Sequence, residues 1–348
     1  MNFQLTKEQE FVQKMVREFA KTEVEPLAAE IDQEHRFPVE TVEKMAKYGL
    51  LGIPFPTKYG GMGGDEVSYS ITVSELAKVC ASTSVIVSAH TSLCCWPIYK
   101  YGTEDQKMKY LPELLSGKKL GAFGLTEPNA GTDASGQQTR AELDGDECVL
   151  NGAKCFITNG GYAEVFVVMA MTDKSKGNHG ISAFIVEKND PGFSIGKTED
   201  KMGICASSTT ELIFQNCRIP KDRLLGGLGK GFKVAMQTLD GGRIGIASQA
   251  LGIAEGALEV TIEYMKQRKQ FGKKLAQMQA LQFVVADLAT KVEAAKLLVL
   301  KSAFCEDAGL PYGVPAAMAK LFAAETAMEV TTKCVQLHGG YGYTKDYP

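Results

Sequence analysis

Thr126, Thr132 and Thr158 are the side chains whose settings first suggest chemistry. Thr126 and Thr132 lie in Ala122-Phe123-Gly124-Leu125-Thr126-Glu127-Pro128-Asn129-Ala130-Gly131-Thr132-Asp133. That stretch opens as a short apolar strand and becomes a run of small, polar, turn-prone residues. Such a run offers backbone N–H groups and hydroxyls together, which suits a polar ring edge and a phosphate. Thr158 belongs to a second stretch of related character, Cys155-Phe156-Ile157-Thr158-Asn159-Gly160.

The usual nucleotide signatures do not explain these stretches. Gly227-Leu228-Gly229-Lys230-Gly231-Phe232 begins like a dinucleotide fingerprint, but its third glycine falls one position early and no strand–helix–strand alternation surrounds it. It reads as a glycine-rich turn before the next helix. Gly196-Lys197-Thr198 ends like a P-loop, yet Pro191 stands where the upstream glycine belongs. Nor is there a Gly-x-Ser-x-Gly elbow to supply a hydrolase nucleophile. The four histidines lie far apart, without metal-ligand spacing. The nine cysteines include no Cys-x-x-Cys pair, and adjacent Cys94 and Cys95 are poorly placed to share a metal. They read as reduced, mostly buried thiols.

The elements that must position these residues are legible from periodicity. Thr6-Lys7-Glu8-Gln9 and Thr103-Glu104-Asp105-Gln106 are capping boxes. Phe11, Val12, Met15, Val16 and Phe19 follow the first on one helical face. Pro38 suits a first helical position and Gly49 that helix's stop, while Gly117 closes another. Near Lys119 the pattern changes. Residues 164–172, 181–186 and 211–214 predict strands, separated by turn signals at Asp144-Gly145-Asp146, Asn151-Gly152, Asn159-Gly160-Gly161 and Pro191-Gly192. Beyond Gly231 helical spacing returns in three runs: Ile244 to Met265, Leu281 to Leu298, and Ala317, Leu321, Ala324, Met328 and Val335. The order helices, strands, helices predicts an α+β protein and argues against a doubly wound sheet. The expected domains are 1–120 (helical), 121–228 (a β-barrel or sandwich) and 229–348 (a helical bundle).

Three motifs then carry a family resemblance. Gly124 to Asp133, Arg268-Lys269-Gln270-Phe271-Gly272 and Gln336-Leu337-His338-Gly339-Gly340-Tyr341-Gly342-Tyr343 resemble, in that order, the signatures of the acyl-CoA dehydrogenase family. The resemblance covers effectively the whole chain. Through Thr238-Leu239-Asp240-Gly241-Gly242-Arg243-Ile244-Gly245-Ile246-Ala247 it leans to the short-chain, butyryl-CoA type. It implies that family's fold, FAD as cofactor, and removal of a thioester α-proton with passage of a β-hydride to flavin N5.

The resemblance also implies residue roles. The backbone around Phe123, Leu125 and Thr126, with the Thr126 hydroxyl, would meet the flavin edge where negative charge grows. Thr158 would lie near N5, and Phe156 stands where many relatives carry Trp beside the ring. Thr132 would meet both cofactor and acyl-CoA. Arg268 would fork two diphosphate oxygens. In the family that arginine reaches a neighbouring subunit's flavin, as does the Gln336 to Gly340 turn. Phe271 and Gln279 join that set, and Gly339 and Gly340 permit close backbone approach. Cofactor binding then implies assembly as a homotetramer. Asp240 and Arg243 resemble a substrate-side pair, although Arg243 neutralising a buried carboxylate is the alternative. Trp96 and Tyr99 either line the acyl end of the pocket or pack in the core.

No catalytic base is assigned within the chain. The family's glutamate belongs to a Tyr-Glu-Gly-Thr-like segment that follows the Tyr-Gly-Tyr region, so the base is expected beyond Pro348. The position that some relatives use instead is Gly242, and Glu127 reads as structural. A base contributes about 10²–10⁴ in rate, so the chain as it stands is expected to be impaired. The expected function is dehydrogenation of short-chain acyl-CoA, or the reverse in an anaerobe, with electrons passed to electron-transferring flavoprotein. The alternatives are an acyl-CoA oxidase and a flavin-binding scaffold. A net charge of −3 without a basic tract argues against nucleic acid, and no apolar run approaches a membrane span. The N-terminal residues show neither a secretory nor an arginine-rich pattern, so a cytoplasmic location is expected, with a mature mitochondrial form as the alternative.

Overall fold

The computed structural model describes residues 4–348. The chain packs as two units. One comprises Met1–Glu30, Asp65–Val85 and Arg243–Pro348; the other comprises Ile31–Gly64 and Ile86–Gly242.

The first unit is helical. The helix Lys7–Phe19 starts on a complete capping box, with Gln9 N–H donating to Thr6 Oγ1 at 3.2 Å and Thr6 N–H donating to Gln9 Oε1 at 3.0 Å. Val16 and Phe19 are buried as their spacing predicts, but Phe11 is 68% exposed and lies off the buried stripe. The helix Glu66–Ala77 is buried on nearly every side. Three long helices supply the main core: Gly231–Gln267 from Arg243 onward, Gln279–Asp307 and Gly313–Leu337. Leu251, Ala254 and Leu258 of the first pack with Leu288, Val292 and Ala295 of the second.

Gly313–Leu337 corrects one expectation. The stripe Ala317, Leu321, Ala324, Met328 and Val335 is not its core face: Leu321, Met328 and Val335 are all exposed. Ala316, Ala319, Ala323, Ala327 and Val330 face inward instead. Both stripes have helical spacing. Alanines let the helix backbones approach closely, and the larger side chains are turned outward.

The second unit holds the sheet. Its strands are β1 (Gly121–Gly124), β2 (Arg140–Asp144), β3 (Glu147–Thr158), β4 (Val165–Met171), β5 (Ile181–Glu187), β6 (Phe193–Thr198), β7 (Thr209–Pro220) and β8 (Leu224–Leu225). They form one mostly antiparallel sheet in the order β6-β7-β3-β2-β4-β5-β8, with β1 parallel to β4. Phe166, Val168 and Ala170 of β4 enter one apolar core with Phe184, Leu212 and Phe214. Val165, Val167 and Met169 enter a second, with Leu111, Leu114 and Ile98. Burial on both faces explains why β4 reads as a continuous apolar run.

Two local signals resolve differently. Pro38 is the N-cap of Val39–Lys47 rather than its first residue. Asn151-Gly152 is no turn: it lies within β3, where the β3/β7 register shifts between Leu150 and Gly152. Gly152 has φ 142°, and a Cβ there would collide with Thr139, so the glycine marks a bulge. The glycine-rich turn before Gly231–Gln267 holds Gly226, Gly227 and Gly229 at positive φ, and Gly229 N–H donates to Ser182 Oγ at 2.9 Å.

Candidate functional site

In the second unit, β1 delivers Phe123 and releases the chain into the loop that carries Leu125, Thr126 and Thr132. Three bonds pin this loop to β3. Cys155 N–H donates to Thr126 O at 2.9 Å, and the Lys154 ammonium donates to Leu125 O at 3.1 Å and Glu127 Oε1 at 2.6 Å. Glu127 also accepts from Gln138 N–H at 2.6 Å and Thr139 N–H at 3.0 Å. Glu127 and Ala130 exchange backbone bonds of 3.1 and 3.0 Å, closing the Pro128-Asn129 turn.

The loop is thus held from behind while its polar groups stay available. Among the described residues the hydroxyls of Thr126, Thr132 and Thr158 have no hydrogen-bond partner, and the Thr126 N–H meets no acceptor. Thr158 ends β3, and the following Asn159 Nδ2 donates to Gly121 O at 3.4 Å, drawing the two polar stretches together. Phe156 precedes Thr158 at a second irregularity of β3, between Lys154 and Ile157. Its φ is 60°, a strained conformation for an aromatic residue, and its ring is 63% exposed between buried Cys155 and Ile157.

His90 supports the same region from the helical side. Its Nδ1 accepts the N–H of Gly121, the first residue of β1, at 2.9 Å, and its Nε2 lies 3.1 Å from Leu114 O. Burial pushes its pKa down to about 4, so the ring is neutral. Burial also lowers the Lys154 pKa, to about 8, against the neighbouring Glu127 carboxylate that favours the charged form. Sequence reading passed over both residues. The available signal was a lysine among the inward-facing positions of β3 and a histidine inside an apolar helical run.

The first unit positions the other group. Arg268, Phe271, Gln279, Gln336, Gly339 and Gly340 are all exposed. Phe271 and Gly272, both at positive φ, make the two-residue turn of a short hairpin in which Gln270 pairs with Lys273. The Arg268 guanidinium carbon lies 5.5 Å from the Tyr341 ring centroid, which brings it to the Gln336–Tyr343 turn. Tyr264 anchors that turn: its hydroxyl donates to His338 O at 3.1 Å and its ring stacks on His338 at 4.4 Å. Around Gly339 and Gly340 a Cβ would meet nothing, so the backbone there is open to close approach. Arg243 lines a groove of about 460 Å³ with Ala317, Lys320, Leu321, Ala324 and Met328, the outward stripe of Gly313–Leu337. In the second unit Asp240 is half-buried.

Comparison with known proteins matches three segments of the chain. Residues 6–118 match the model of the acyl-CoA dehydrogenase N-terminal domain, 122–217 that of the middle domain and 229–348 that of the C-terminal domain. The chain is 62% identical to a short-chain specific acyl-CoA dehydrogenase of Clostridium acetobutylicum, over 100% of this chain and 92% of the relative. The chain belongs to the acyl-CoA dehydrogenase family. Its fold superposes on butyryl-CoA dehydrogenase from Megasphaera elsdenii with a TM-score of 0.98 at 52% identity, covering 100% of this chain and 92% of that one. It superposes equally on a chain in a structure described as an electron transferring flavoprotein of Acidaminococcus fermentans, with a TM-score of 0.99, 56% identity and the same coverage.

Tyr99 packs edge-on to Phe55 and Tyr59 at 5.7 and 5.9 Å, and Trp96 to Tyr101 at 6.0 Å, and both are partly buried against the apolar core of their unit. All nine cysteines are free thiols, eight of them buried. Among the described residues no cluster of His, Cys, Asp or Glu is placed to hold a metal, and no helix is long and apolar enough to cross a membrane.

Proposed function

We propose that this protein carries out the FAD-dependent α,β-dehydrogenation of short-chain acyl-CoA thioesters, of the butyryl-CoA to crotonyl-CoA type, or its reverse, with electron-transferring flavoprotein as redox partner. One observation carries the reading. The Thr126 N–H and the hydroxyls of Thr126 and Thr158 stay unpartnered on a loop and strand end that Lys154, Glu127 and Cys155 hold in place. Such a fixed donor set suits a ring edge that accepts hydrogen bonds and gains negative charge. FAD, when bound, supplies the hydride acceptor.

The residues fit that group. In this reading Phe123, Leu125 and Thr126 present the backbone to the ring edge, Thr158 adds a hydroxyl, Phe156 packs beside the ring and Thr132 serves cofactor and substrate. Arg268 pairs with the diphosphate of a neighbouring subunit's FAD, because it is exposed and forms no ion pair among the described residues. Phe271, Gln279, Gln336, Gly339 and Gly340 complete that end. Asp240 and Arg243 serve the substrate side. Glu127 is unsuited to be the base, since both its oxygens already accept hydrogen bonds.

The domain division 1–120, 121–228 and 229–348 belongs to the same reading, as does a homotetramer. The outward apolar side chains Leu321, Met328 and Val335 of the first unit support assembly through a second copy. The short-chain specific and butyryl-CoA relatives support the substrate class, and the flavoprotein structure supports the partner.

The deciding experiment is an anaerobic titration of the purified protein with butyryl-CoA. A yellow protein that bleaches supports the reading. Rapid re-oxidation by added oxygen points to an oxidase instead. A protein that takes up no FAD contradicts the proposal, and one that holds FAD and never bleaches points to a flavin-binding scaffold instead.

A further inference from the structure

Lys154 is fully buried, and its ammonium has three acceptors in fixed places: Leu125 O at 3.1 Å, Glu127 Oε1 at 2.6 Å and Gln137 Oε1 at 3.0 Å. Burying a cation is expensive in desolvation, and a neutral side chain could fill the same volume. The charge therefore invites a role beyond filling space. The bond to Leu125 O supplies one. The Leu125 carbonyl and the Thr126 N–H belong to a single peptide group. A cation donating to an amide oxygen draws density toward that oxygen and makes the N–H of the same group a stronger donor.

The strengthened donor is the one the chain leaves available. The next N–H, that of Glu127, is committed to Ala130 O at 3.1 Å, whereas the Thr126 N–H meets no acceptor among the described residues. Glu127 holds the ammonium in line and is itself held by the Gln138 and Thr139 N–H groups.

We propose that Lys154 is a positioning residue that acts through the Leu125–Thr126 peptide to raise the reduction potential of the bound flavin. The inference rests on the FAD reading above. It assigns Lys154 no contact with cofactor or substrate. Its effect is a stronger Thr126 donor toward the ring edge that becomes electron-rich on reduction.

The test is a redox titration of the flavin-loaded protein and three variants. Lys154→Gln combined with Glu127→Gln removes both charges and keeps polar groups at both places. Its flavin reduction constant is expected to fall roughly tenfold, the difference between an ordinary hydrogen bond and one with a charged partner. For a two-electron couple, that tenfold change is about 30 mV. Lys154→Gln alone gives a second arm: Glu127 keeps its two backbone donors and its charge, and a downward shift at least as large is expected. Lys154→Arg keeps the cation and is expected to hold the wild-type potential. A flavin-loaded Gln variant with an unchanged potential overturns this inference alone and leaves Lys154 as a structural strut. Wild-type protein that takes up no FAD overturns the flavin reading, and this inference with it.

Discussion

His90 Nδ1 accepts the Gly121 N–H at 2.9 Å, tying the segment Ala89–Cys95 to the first residue of β1. Because Nδ1 accepts, the ring proton resides on Nε2, which donates to Leu114 O. One neutral imidazole thus joins two helical segments to the strand that leads into Thr126. Charging this ring is opposed by burial, which moves its pKa from 6.5 to about 4. Between those values the unfolded chain binds the proton and the folded protein does not, so stability falls as pH is lowered through that window. Above pH 6.5 neither state is protonated and the effect vanishes. The full loss is on the order of 3 kcal/mol. Urea unfolding from pH 7 to pH 4 should show it in the wild type. His90→Gln should be less stable at pH 7 and lack this part of the pH dependence. Parallel curves for the two proteins would contradict the account.

Thr126→Ala separates the loop's architecture from its donors. Among the described residues the hydroxyl bonds nothing, so the change in folding stability is expected to stay within about 0.5 kcal/mol. The loop keeps its anchors at Lys154 and Cys155. Anaerobic bleaching by butyryl-CoA, followed in a stopped-flow instrument, is expected to slow by about tenfold to a hundredfold, since the backbone donor remains. An unchanged rate would remove the Thr126 hydroxyl from the proposed donor set.

What could be read from sequence was local, and what could not depended on distant packing. The capping boxes at Thr6 and Thr103 need only residues three apart, and both are present. Asp144-Gly145 is a turn because β2 and β3 are adjacent in sequence and pair directly. Asn151-Gly152 carries an equally strong turn signal, yet pairing with β7, some 60 residues later, makes it a bulge. On Gly313–Leu337 the larger side chains suggested the core face, but close helix approach selected the alanines. The polar loop and Thr158 were legible through their own motifs. Lys154 and His90 were not, because each acts on a partner about 30 residues away that only the fold brings near.

The two faces of Gly313–Leu337 should respond oppositely to substitution. Ala323 is fully buried among facing helices, so Ala323→Leu overpacks the core and is expected to destabilise by about 1–3 kcal/mol. Met328 is 70% exposed within its unit, and Met328→Lys is expected to change the stability of a single copy by less than about 0.5 kcal/mol. If the outward face is covered by a second copy, the same lysine will shift the protein to a smaller species in light scattering. A large assembly that persists in Met328→Lys would place the contact elsewhere.

Arg268 gives the sharpest test of the diphosphate assignment, because its two roles predict different readouts. Among the described residues its guanidinium meets the Tyr341 ring at 5.5 Å, and an exposed contact of this kind contributes about 0.5–1 kcal/mol. Arg268→Ala should therefore scarcely alter urea unfolding of the flavin-free protein. If the guanidinium also forks two phosphate oxygens, its loss removes charge-assisted bonds worth roughly 1.5–3 kcal/mol, and FAD affinity falls about tenfold to a hundredfold. Arg268→Lys keeps the charge but not the planar fork, so its affinity should lie between the two. Flavin-fluorescence titrations on the three proteins at one salt concentration measure the difference. Equal FAD affinities in all three would leave Arg268 with Tyr341 alone and remove it from the cofactor site.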